Sequence, residues 1–396
     1  MKFARRTESV HRSFIREILA VTEDPNIISF AGGLPNPRFF PVEEFQQSAH
    51  NVLVSSGREA LQYSTTEGYR PLREFVSDRY KKNKGIDVDP DEILITNGSQ
   101  QGIDLIAKIL LNPGDGVVLE NPSYLAAIQS FSFYEPTYFP VSLEEDGVCI
   151  GELEQALQQK NVRFFYSIPN FQNPSGISYS EEKRTLVVQQ CDKQGVFLVE
   201  DDPYGEIRFD EGKRFTSFRS YSENVILLGS FSKIVAPGCR LGWIAAKKEI
   251  LEKVYIAKQA SDLHSNFFTQ RVVADFLQHN DVDAHIARIS HYYGAQKTAM
   301  ISALQKYFPS EVQYTNPKGG MFLWMTLPEK MDAYSFFSLA LEKKVAFVPG
   351  ESFFTKQSKK NTLRLNFSNS DPERIEEGIR RMAEVYARMR EQNHAL

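Results

Sequence analysis

The chain is poor in cysteine and has no long apolar segment, and these two absences exclude several classes of protein. Its 396 residues include only three cysteines, Cys149, Cys191 and Cys239, which lie far apart and lack the spacing of metal ligands. We therefore expect neither a disulfide framework nor a cysteine metal site, as is usual in a reducing compartment. No apolar run approaches the roughly 20 residues that a membrane helix needs, so we expect no membrane partner.

An excess of positive charge is also missing. The chain carries 46 basic and 50 acidic residues, a net charge of −4, and the two signs are interspersed. Nucleic-acid-binding proteins usually show a basic patch or stripe, so we expect no nucleic-acid partner. The N-terminus is basic but lacks the apolar stretch of a secretion signal, and Glu8 and Glu17 oppose a transit peptide. We therefore expect a cytoplasmic protein.

Short apolar runs alternate with helical patterns through the middle of the chain. Several runs are nearly continuous in apolar residues, as in strands covered on both faces. Between them, Ser99–Leu111 and Ser180–Gln194 have helical periodicity. This alternation predicts an α/β domain with a mainly parallel sheet. The predicted strands are Ile93–Thr96, Gly116–Glu120, Arg163–Ile168, Val196–Glu200, Val225–Leu228 and Trp243–Ala246.

The C-terminal third of the chain has a different pattern. Thr362–Phe367 is predicted to be a strand, and strand pattern also occurs between 312 and 326. The segment Ser370-Asp371-Pro372-Glu373 resembles a capping box that opens a helix to about Arg390. We predict a smaller α+β domain here, with the N-terminal segment packed on it. The predicted division is residues 1–46 and 286–396 for the small domain and 47–285 for the large one.

The segment Gly229–Trp243, GSFSKIVAPGCRLGW, places Lys233 just after a buried apolar strand. Ser230 and Ser232 precede it, and Arg240 follows. Hydroxyls and a guanidinium are suited to a phosphate, and an amine beside a phosphate is the arrangement that holds pyridoxal 5'-phosphate as a Schiff base. A lone lysine in a turn is more often a surface residue, but its neighbours favour the cofactor site.

A second segment, Thr96–Gln101, lies between a predicted strand and a predicted helix. A helix N-terminus that follows a glycine turn offers backbone N–H groups to an anion, and Ser99 adds a hydroxyl. Taken alone, Ser99 is better explained as a simple helix cap. With the serines and arginine around Lys233, it becomes one wall of a predicted phosphate site.

Three further segments offer partners for a pyridine ring. Asp201 follows an apolar strand, where its carboxylate would face the ligand crevice and keep a ring nitrogen protonated. Tyr204 and Asn173 are candidate donors to the ring's phenolate oxygen, although a packed tyrosine and a plain Asn-Pro turn are the simpler explanations. Tyr124 follows another strand and is placed to stack on the ring.

Arg364 lies inside the otherwise apolar strand at 362–367. Arginine is rarely buried without a partner. A substrate carboxylate would suit its planar guanidinium. A structural ion pair with an acidic residue of the protein explains the position equally well, and the sequence leaves both open.

These motifs resemble fold type I pyridoxal-phosphate aminotransferases of class I/II, within them the aminoadipate and kynurenine aminotransferase branch, from about Ser13 to Arg381. The resemblance implies an α/β large domain with a mainly parallel seven-stranded sheet and a smaller discontinuous α+β domain. The segments that carry it are Ser29–Pro37 (SFAGGLPNP), Gly98–Gly102 (GSQQG), Ser230–Lys233 (SFSK) with Pro237, Gly238 and Arg240, and Gly319–Phe322 (GGMF).

The resemblance also implies a role for each matching residue. Lys233 would hold the cofactor, with Asp201 on its ring nitrogen and Tyr124 on its ring face. Arg364 would clamp the substrate carboxylate, and Arg16 is placed to pair with a distal acid, although a solvated basic edge formed with Arg12 is the simpler explanation. The remaining implied contacts are Tyr204 and Asn173 with the phenolate oxygen; Ser99, Gln100, Ser230, Ser232 and Arg240 with the phosphate; and Gly33 and Leu34 over the substrate, which Asn173 also contacts.

The implied function is transfer of an amino group from an L-amino acid to a 2-oxo acid in a ping-pong reaction, with 2-oxoglutarate as the acceptor that the resemblance suggests. Tyr63 matches a tyrosine that such enzymes lend to the partner subunit's phosphate site, which implies a homodimer with shared active sites. Two alternatives stay open on the residues alone. A β-lyase would use the same cofactor contacts, and a non-catalytic sensor could bind the cofactor without turnover.

Overall fold

The computed structural model describes residues 3–8, 10, 18, 24–210, 215–356 and 359–394, and the side chains of 392–394 are left out of the description. Within these ranges, no helix combines the length and the apolar character that crossing a membrane requires. Arg16 and most of the N-terminal segment around it lie outside the described residues.

Eleven helices and fourteen strands follow one another in the described part of the chain. The helices are α1 (Val42–Ala60), α2 (Arg70–Lys84), α3 (Ser99–Leu110), α4 (Leu125–Ser132), α5 (Ile150–Leu157), α6 (Glu181–Gln194), α7 (Lys248–Asp262), α8 (Phe267–His279), α9 (Val282–Tyr307), α10 (Ala333–Glu342) and α11 (Pro372–His394). The strands are β1 (Ile28–Ser29), β2 (Ile93–Thr96), β3 (Gly116–Asn121), β4 (Thr137–Glu144), β5 (Gly147–Val148), β6 (Val162–Ser167), β7 (Phe197–Asp201), β8 (Val225–Ser230), β9 (Gly242–Ala245), β10 (Gln313–Tyr314), β11 (Phe322–Thr326), β12 (Val345–Ala346), β13 (Val348–Pro349) and β14 (Thr362–Asn366).

The large sheet has eight strands in the order β2-β9-β8-β7-β6-β3-β4-β5. The five strands from β8 to β4 run parallel, whereas β9 is antiparallel to both of its neighbours. The sequence predicted six of these strands to within a few residues at each end. It missed β4 because this strand is only partly buried and so lacks a continuous apolar run. The eighth strand, β5, is a two-residue hairpin partner of β4.

The central strands are buried on both faces, as their apolar runs predicted. Along β8, Ile226 and Leu228 belong to one hydrophobic core, and Val225 and Leu227 belong to a second one. Successive side chains of a strand point to opposite faces, so the two cores lie on opposite sides of the sheet. This arrangement leaves the carboxyl ends of the parallel strands as the edge where a ligand can bind.

The C-terminal part of the chain forms a separate four-stranded antiparallel sheet, in the order β10-β11-β14-β13. The N-terminal strand β1 pairs in parallel with β12, which joins the N-terminal segment to the C-terminal part of the chain. Helix α11 begins where the sequence predicted, although Asp371 is the cap: its Oδ1 accepts a hydrogen bond from the Arg374 N–H at 2.9 Å. The domain boundary predicted at 285 falls near the start of α9, and the division into domains stays a prediction.

Candidate active site

A cavity of about 790 Å³ opens at the carboxyl ends of the parallel strands. Most of the residues singled out in the sequence line it, although they come from segments far apart in the chain. They are Gly33, Leu34, Ser99, Gln100, Tyr124, Asn173, Asp201, Tyr204, Ser230, Ser232, Lys233, Arg240 and Arg364. Tyr63 lies outside this cavity, and Arg16 lies outside the described residues.

Lys233 lies just beyond the end of β8, at the floor of the cavity. Its Nζ donates a hydrogen bond to the Gly33 carbonyl at 2.9 Å, a contact across the chain that the sequence did not show. Desolvation lowers the pKa of Lys233 to about 8, and the positive charges of Arg364 and Arg240 act in the same direction. A substantial fraction of this amine is therefore neutral near physiological pH, the form that acts as a nucleophile or base.

One wall of the cavity is formed by hydroxyls, an arginine and the N-terminus of α3. Gly98, which precedes this helix, has φ 73°, and a Cβ at this position would lie 2.8 Å from Arg240 Nη2. The positive φ favours glycine at this position, and the missing side chain also leaves room for the guanidinium. The first N–H groups of a helix have no partner within it, so this wall suits an anion.

Two other members of this wall, Ser230 and Gln100, are held by hydrogen bonds. The Ser230 hydroxyl accepts a hydrogen bond from the Ser232 N–H at 3.1 Å. The Gln100 side chain is already engaged, because its Nε2 donates to the Ala126 carbonyl at 3.1 Å. For Gln100, the backbone N–H is therefore the group that can face an anion.

Asp201 ends strand β7 and is 1% exposed. Its Oδ2 accepts a hydrogen bond from the Tyr166 hydroxyl at 2.6 Å, whereas its buried Oδ1 has no partner among the described residues. Burial raises the pKa of Asp201 to about 7, and the Tyr166 hydrogen bond partly opposes this effect. A buried carboxylate oxygen without a donor is costly, and a protonated pyridine nitrogen would satisfy it. The residues present therefore fit pyridoxal phosphate.

Asn173 connects two of the other predicted residues. Its Nδ2 donates to the Tyr204 hydroxyl at 3.3 Å, and its Oδ1 accepts from Arg364 Nη1 at 2.8 Å. All three side chains are nearly fully buried. Asn173 therefore links the side of the cavity where Asp201 lies to the arginine that the small sheet supplies.

Arg364 lies in β14 and is held by neutral oxygens. Besides Asn173, its guanidinium donates through Nη2 to the Ala31 carbonyl at 2.7 Å, and the guanidinium carbon lies 4.2 Å from the Phe322 ring centre. No acidic side chain among the described residues pairs with it, and its buried Nε has no partner there. Burial lowers the pKa of Arg364 to about 10. These observations favour a substrate carboxylate over the structural ion pair.

The remaining predicted residues lie at the sides and rim of the cavity. Burial raises the pKa of the Tyr124 phenol to about 12, so the phenol is neutral at physiological pH. Leu34 is half-exposed at the mouth. Tyr63 is 79% exposed, and its ring contacts His264 edge-on at 5.9 Å between ring centres.

Sequence reasoning missed Tyr166 and a buried carboxylate, Glu120. Glu120 is fully buried and accepts hydrogen bonds from Ser167, Gln172 and Tyr179 and from one backbone N–H. Because Gln172 directly precedes Asn173, this cluster supports the loop that carries Asn173. Polar residues inside otherwise apolar strands were the signal that could have identified both.

Comparisons with known proteins agree with this geometry. Residues 32–382 match the family model described as aminotransferase class I and II. The chain is 43% identical over 384 residues to the 2-aminoadipate transaminase of Thermus thermophilus, covering 96% of this chain and 95% of that protein. It is 41% identical over 390 residues to aromatic-amino-acid aminotransferase 1 of Thermococcus litoralis, covering 97% and 93%.

A solved structure shows the same fold. The kynurenine aminotransferase of Pyrococcus horikoshii, in complex with PMP, kynurenine (KYN) and the product abbreviated KYA, superposes with a TM-score of 0.93 at 41% identity. The match covers 98% of this chain and 97% of that one.

The chain therefore belongs to the class I and II aminotransferase family, which confirms the resemblance seen in the sequence. It is a pyridoxal-phosphate-dependent aminotransferase with the fold type I architecture. Of the activities left open by the residues alone, amino-group transfer is the one that these matches support.

Proposed function

We propose that the cavity is the active site, with Lys233 as the residue that binds pyridoxal phosphate covalently. The observation that carries this proposal is the unpartnered Oδ1 of Asp201 in a cavity that also holds the Lys233 amine. An amine with a pKa of about 8 and a buried carboxylate with a free oxygen suit the two ends of a pyridine aldehyde. Few other ligands would need both groups.

The cofactor contacts follow from the walls of the cavity. Ser230, Ser232, Arg240 and the N-terminus of α3, with the Ser99 hydroxyl and the Gln100 N–H, would bind the phosphate. Tyr204 and Asn173 would contact the phenolate oxygen, and Tyr124 would cover one ring face. When bound, the cofactor supplies an electron sink that stabilises negative charge at the substrate Cα.

The protein's part in the reaction is to hold the substrate and to move one proton. Arg364 Nη1 and Nη2 would turn from neutral acceptors toward the substrate α-carboxylate, which is the stronger partner. Lys233 Nζ, in its neutral form, would accept the proton that leaves the substrate Cα. Asp201, whose ionised form the Tyr166 hydrogen bond favours, would keep the ring nitrogen protonated. We propose a ping-pong order, in which the first 2-oxo acid leaves before the second one binds.

The named relatives guide the choice of substrate. They act on aromatic amino acids, 2-aminoadipate and kynurenine. We therefore propose that this enzyme takes L-amino acids with side chains of this kind as donors and 2-oxoglutarate as acceptor. Gly33 and Leu34 at the rim would cover the substrate side chain. The assignment of Arg16 to a distal carboxylate stays a prediction.

We also propose a cytoplasmic homodimer with shared active sites. Tyr63 is exposed, as a residue that reaches into a partner's site would be in a single chain. Leu61 and Leu263, near it, are also exposed, at 72% and 48%. Apolar groups of this kind mark protein contact surfaces when they cluster, and a second copy is the partner proposed here.

A substitution at Lys233 tests the assignment. In Lys233→Ala we expect loss of the visible absorption band of the bound cofactor and a fall in turnover of at least about 1,000-fold, since nucleophile and base are both removed. Lys247→Ala, a lysine outside the cavity, should retain both properties. A Lys233→Ala protein that keeps its absorption band and its turnover would refute the proposal.

A further inference from the structure

Asn97, at the start of the loop that leads into α3, is held by hydrogen bonds on three sides. Its backbone N–H donates to Gln101 Oε1 at 2.8 Å, and its Nδ2 donates to Asp262 Oδ2 at 2.6 Å. Its carbonyl accepts from Arg240 Nη2 at 3.4 Å. The direction of the following N–H groups therefore depends on where Gln101 and Asp262 are fixed.

Both of these side chains are fixed by one buried ammonium, that of Lys258 in α7. Its Nζ donates to Gln101 Oε1 at 2.9 Å and to both Asp262 oxygens at 3.0 Å. It also donates to the Ser265 hydroxyl at 3.1 Å, which in turn donates to the Ile95 carbonyl in β2 at 3.3 Å. One charge thus joins α7, strand β2 and the loop at Asn97.

Burying the charged side chain of Lys258 costs free energy of folding. It is 0% exposed, and burial lowers its pKa while Asp262 opposes that effect. A packed apolar side chain is often as stabilising as a buried ion pair, so filling space does not account for an ammonium here. What the charge adds is a fixed orientation of Gln101 Oε1, the atom that also receives the Asn97 N–H.

We propose that Lys258 and Asp262 are positioning residues for the cofactor phosphate. Lys258 orients Asn97 through Gln101, and Asp262 does so directly and through Gln101 Nε2, which donates to its Oδ2 at 2.8 Å. Ser99 and the N-terminus of α3 then face the anion. Neither residue lines the cavity, so neither contacts the cofactor itself. The inference rests on the phosphate site proposed above.

The positioning role predicts an effect on ligand binding that a general loss of protein stability would not produce. Only the phosphate is held by this wall, whereas the ring and the aldehyde are held by other residues. Pyridoxal, which lacks the phosphate, should therefore be insensitive to the cluster. The ratio of the Kd for pyridoxal to the Kd for pyridoxal phosphate isolates the contribution of the wall.

The test measures this ratio on the apoprotein by spectroscopic titration, together with the affinity for inorganic phosphate by calorimetry. The variants are Lys258→Met and Asp262→Asn. In Asp262→Asn the side-chain shape is kept, but one acceptor oxygen becomes a donor that faces other donors. Lys253→Met is the matched control, with the same substitution at an exposed position on the same helix.

We expect the ratio to fall by about tenfold or more in both variants, as loss of charge-assisted hydrogen bonds implies, with weaker phosphate binding and an unchanged Kd for pyridoxal. The control should stay within about twofold of the parent protein. An unchanged ratio in folded Asp262→Asn would overturn the inference, even if Lys258→Met does not fold. Equal losses for both ligands would also overturn it, since they indicate a merely structural role.

A separate variant tests the proposed phosphate site itself. Arg240→Ala should lower the same ratio if the proposed wall binds the phosphate. If Arg240→Ala leaves the ratio unchanged, the proposed site is wrong and the inference falls with it. If Arg240→Ala lowers the ratio and the cluster variants do not, only the positioning role is refuted.

Discussion

Replacing Tyr166 by phenylalanine should make Asp201 harder to ionise. The hydroxyl donates to Asp201 Oδ2 at 2.6 Å, and both side chains are fully buried. Phenylalanine keeps the ring, which packs against Phe131 at 5.5 Å between ring centres, so little but the hydrogen bond is lost. The substitution therefore separates the electrostatic contribution of the hydroxyl from the packing of the ring.

The size of the pKa change follows from the strength of a hydrogen bond to a charged group. A hydrogen bond to a charged group contributes about 1.5–3 kcal/mol, and 1.36 kcal/mol corresponds to one pKa unit. The pKa of Asp201, about 7 in the parent protein without cofactor, should then rise by roughly one to two units. A more basic carboxylate takes a larger share of the proton between it and the ring nitrogen.

The measurement is the ¹⁵N chemical shift of labelled pyridoxal phosphate bound to the enzyme. In Tyr166→Phe the shift should move toward that of an unprotonated pyridine, and turnover should fall by about tenfold. Tyr179→Phe is the matched control, because Tyr179 donates to another buried carboxylate, Glu120, at 2.8 Å. An unchanged ¹⁵N shift in Tyr166→Phe would refute the reasoning, as would an equal change in the control.

Three further outcomes follow from the same site. Arg364→Lys loses the paired donors of the guanidinium, so steady-state kinetics should show KM for the amino acid rising about 10- to 100-fold. An unchanged KM would exclude carboxylate binding at this residue. Because the pKa of Lys233 is lowered to about 8, the rate at which pyridoxal attaches to the apoprotein should rise with pH up to about 8 and then level off. A rate that continues to rise to pH 10 would contradict the lowered pKa. The pKa of Asp201, raised to about 7, means that the folded apoprotein holds this proton longer than the unfolded chain, so the stability of the parent falls as pH rises from about 4 to 7. Asp201→Asn should therefore stabilise the apoprotein above pH 7, by up to roughly 4 kcal/mol, and not at pH 4, as checked by urea unfolding at both pH values.

The sequence could predict the site residues that follow a recognisable apolar run. Asp201 ends a strand that is buried on both faces, and Lys233 and Ser99 each come just after such a strand. Their position at one edge of the sheet therefore follows from chain order alone. Strand β4 escaped prediction because its side chains are mostly partly exposed and form neither a continuous apolar run nor a regular alternation.

Contacts between strands were beyond the reach of the sequence. Tyr166 meets Asp201 only because β6 pairs with β7 in a register that places Tyr166 opposite Val199. The hydrogen bonds from Arg364 to Asn173 and Ala31 likewise depend on how the small sheet packs against the loop after β6 and against the N-terminal segment. Such pairings are set by three-dimensional packing, and no local pattern records them.

The most direct test of the account is to reduce the cofactor-loaded enzyme with borohydride, digest it and identify the labelled lysine by mass spectrometry. We expect one phosphopyridoxyl group per chain, on Lys233. A label on a different lysine, or no label at all, would contradict the claim that the Lys233 amine and the free oxygen of Asp201 together define the cofactor site.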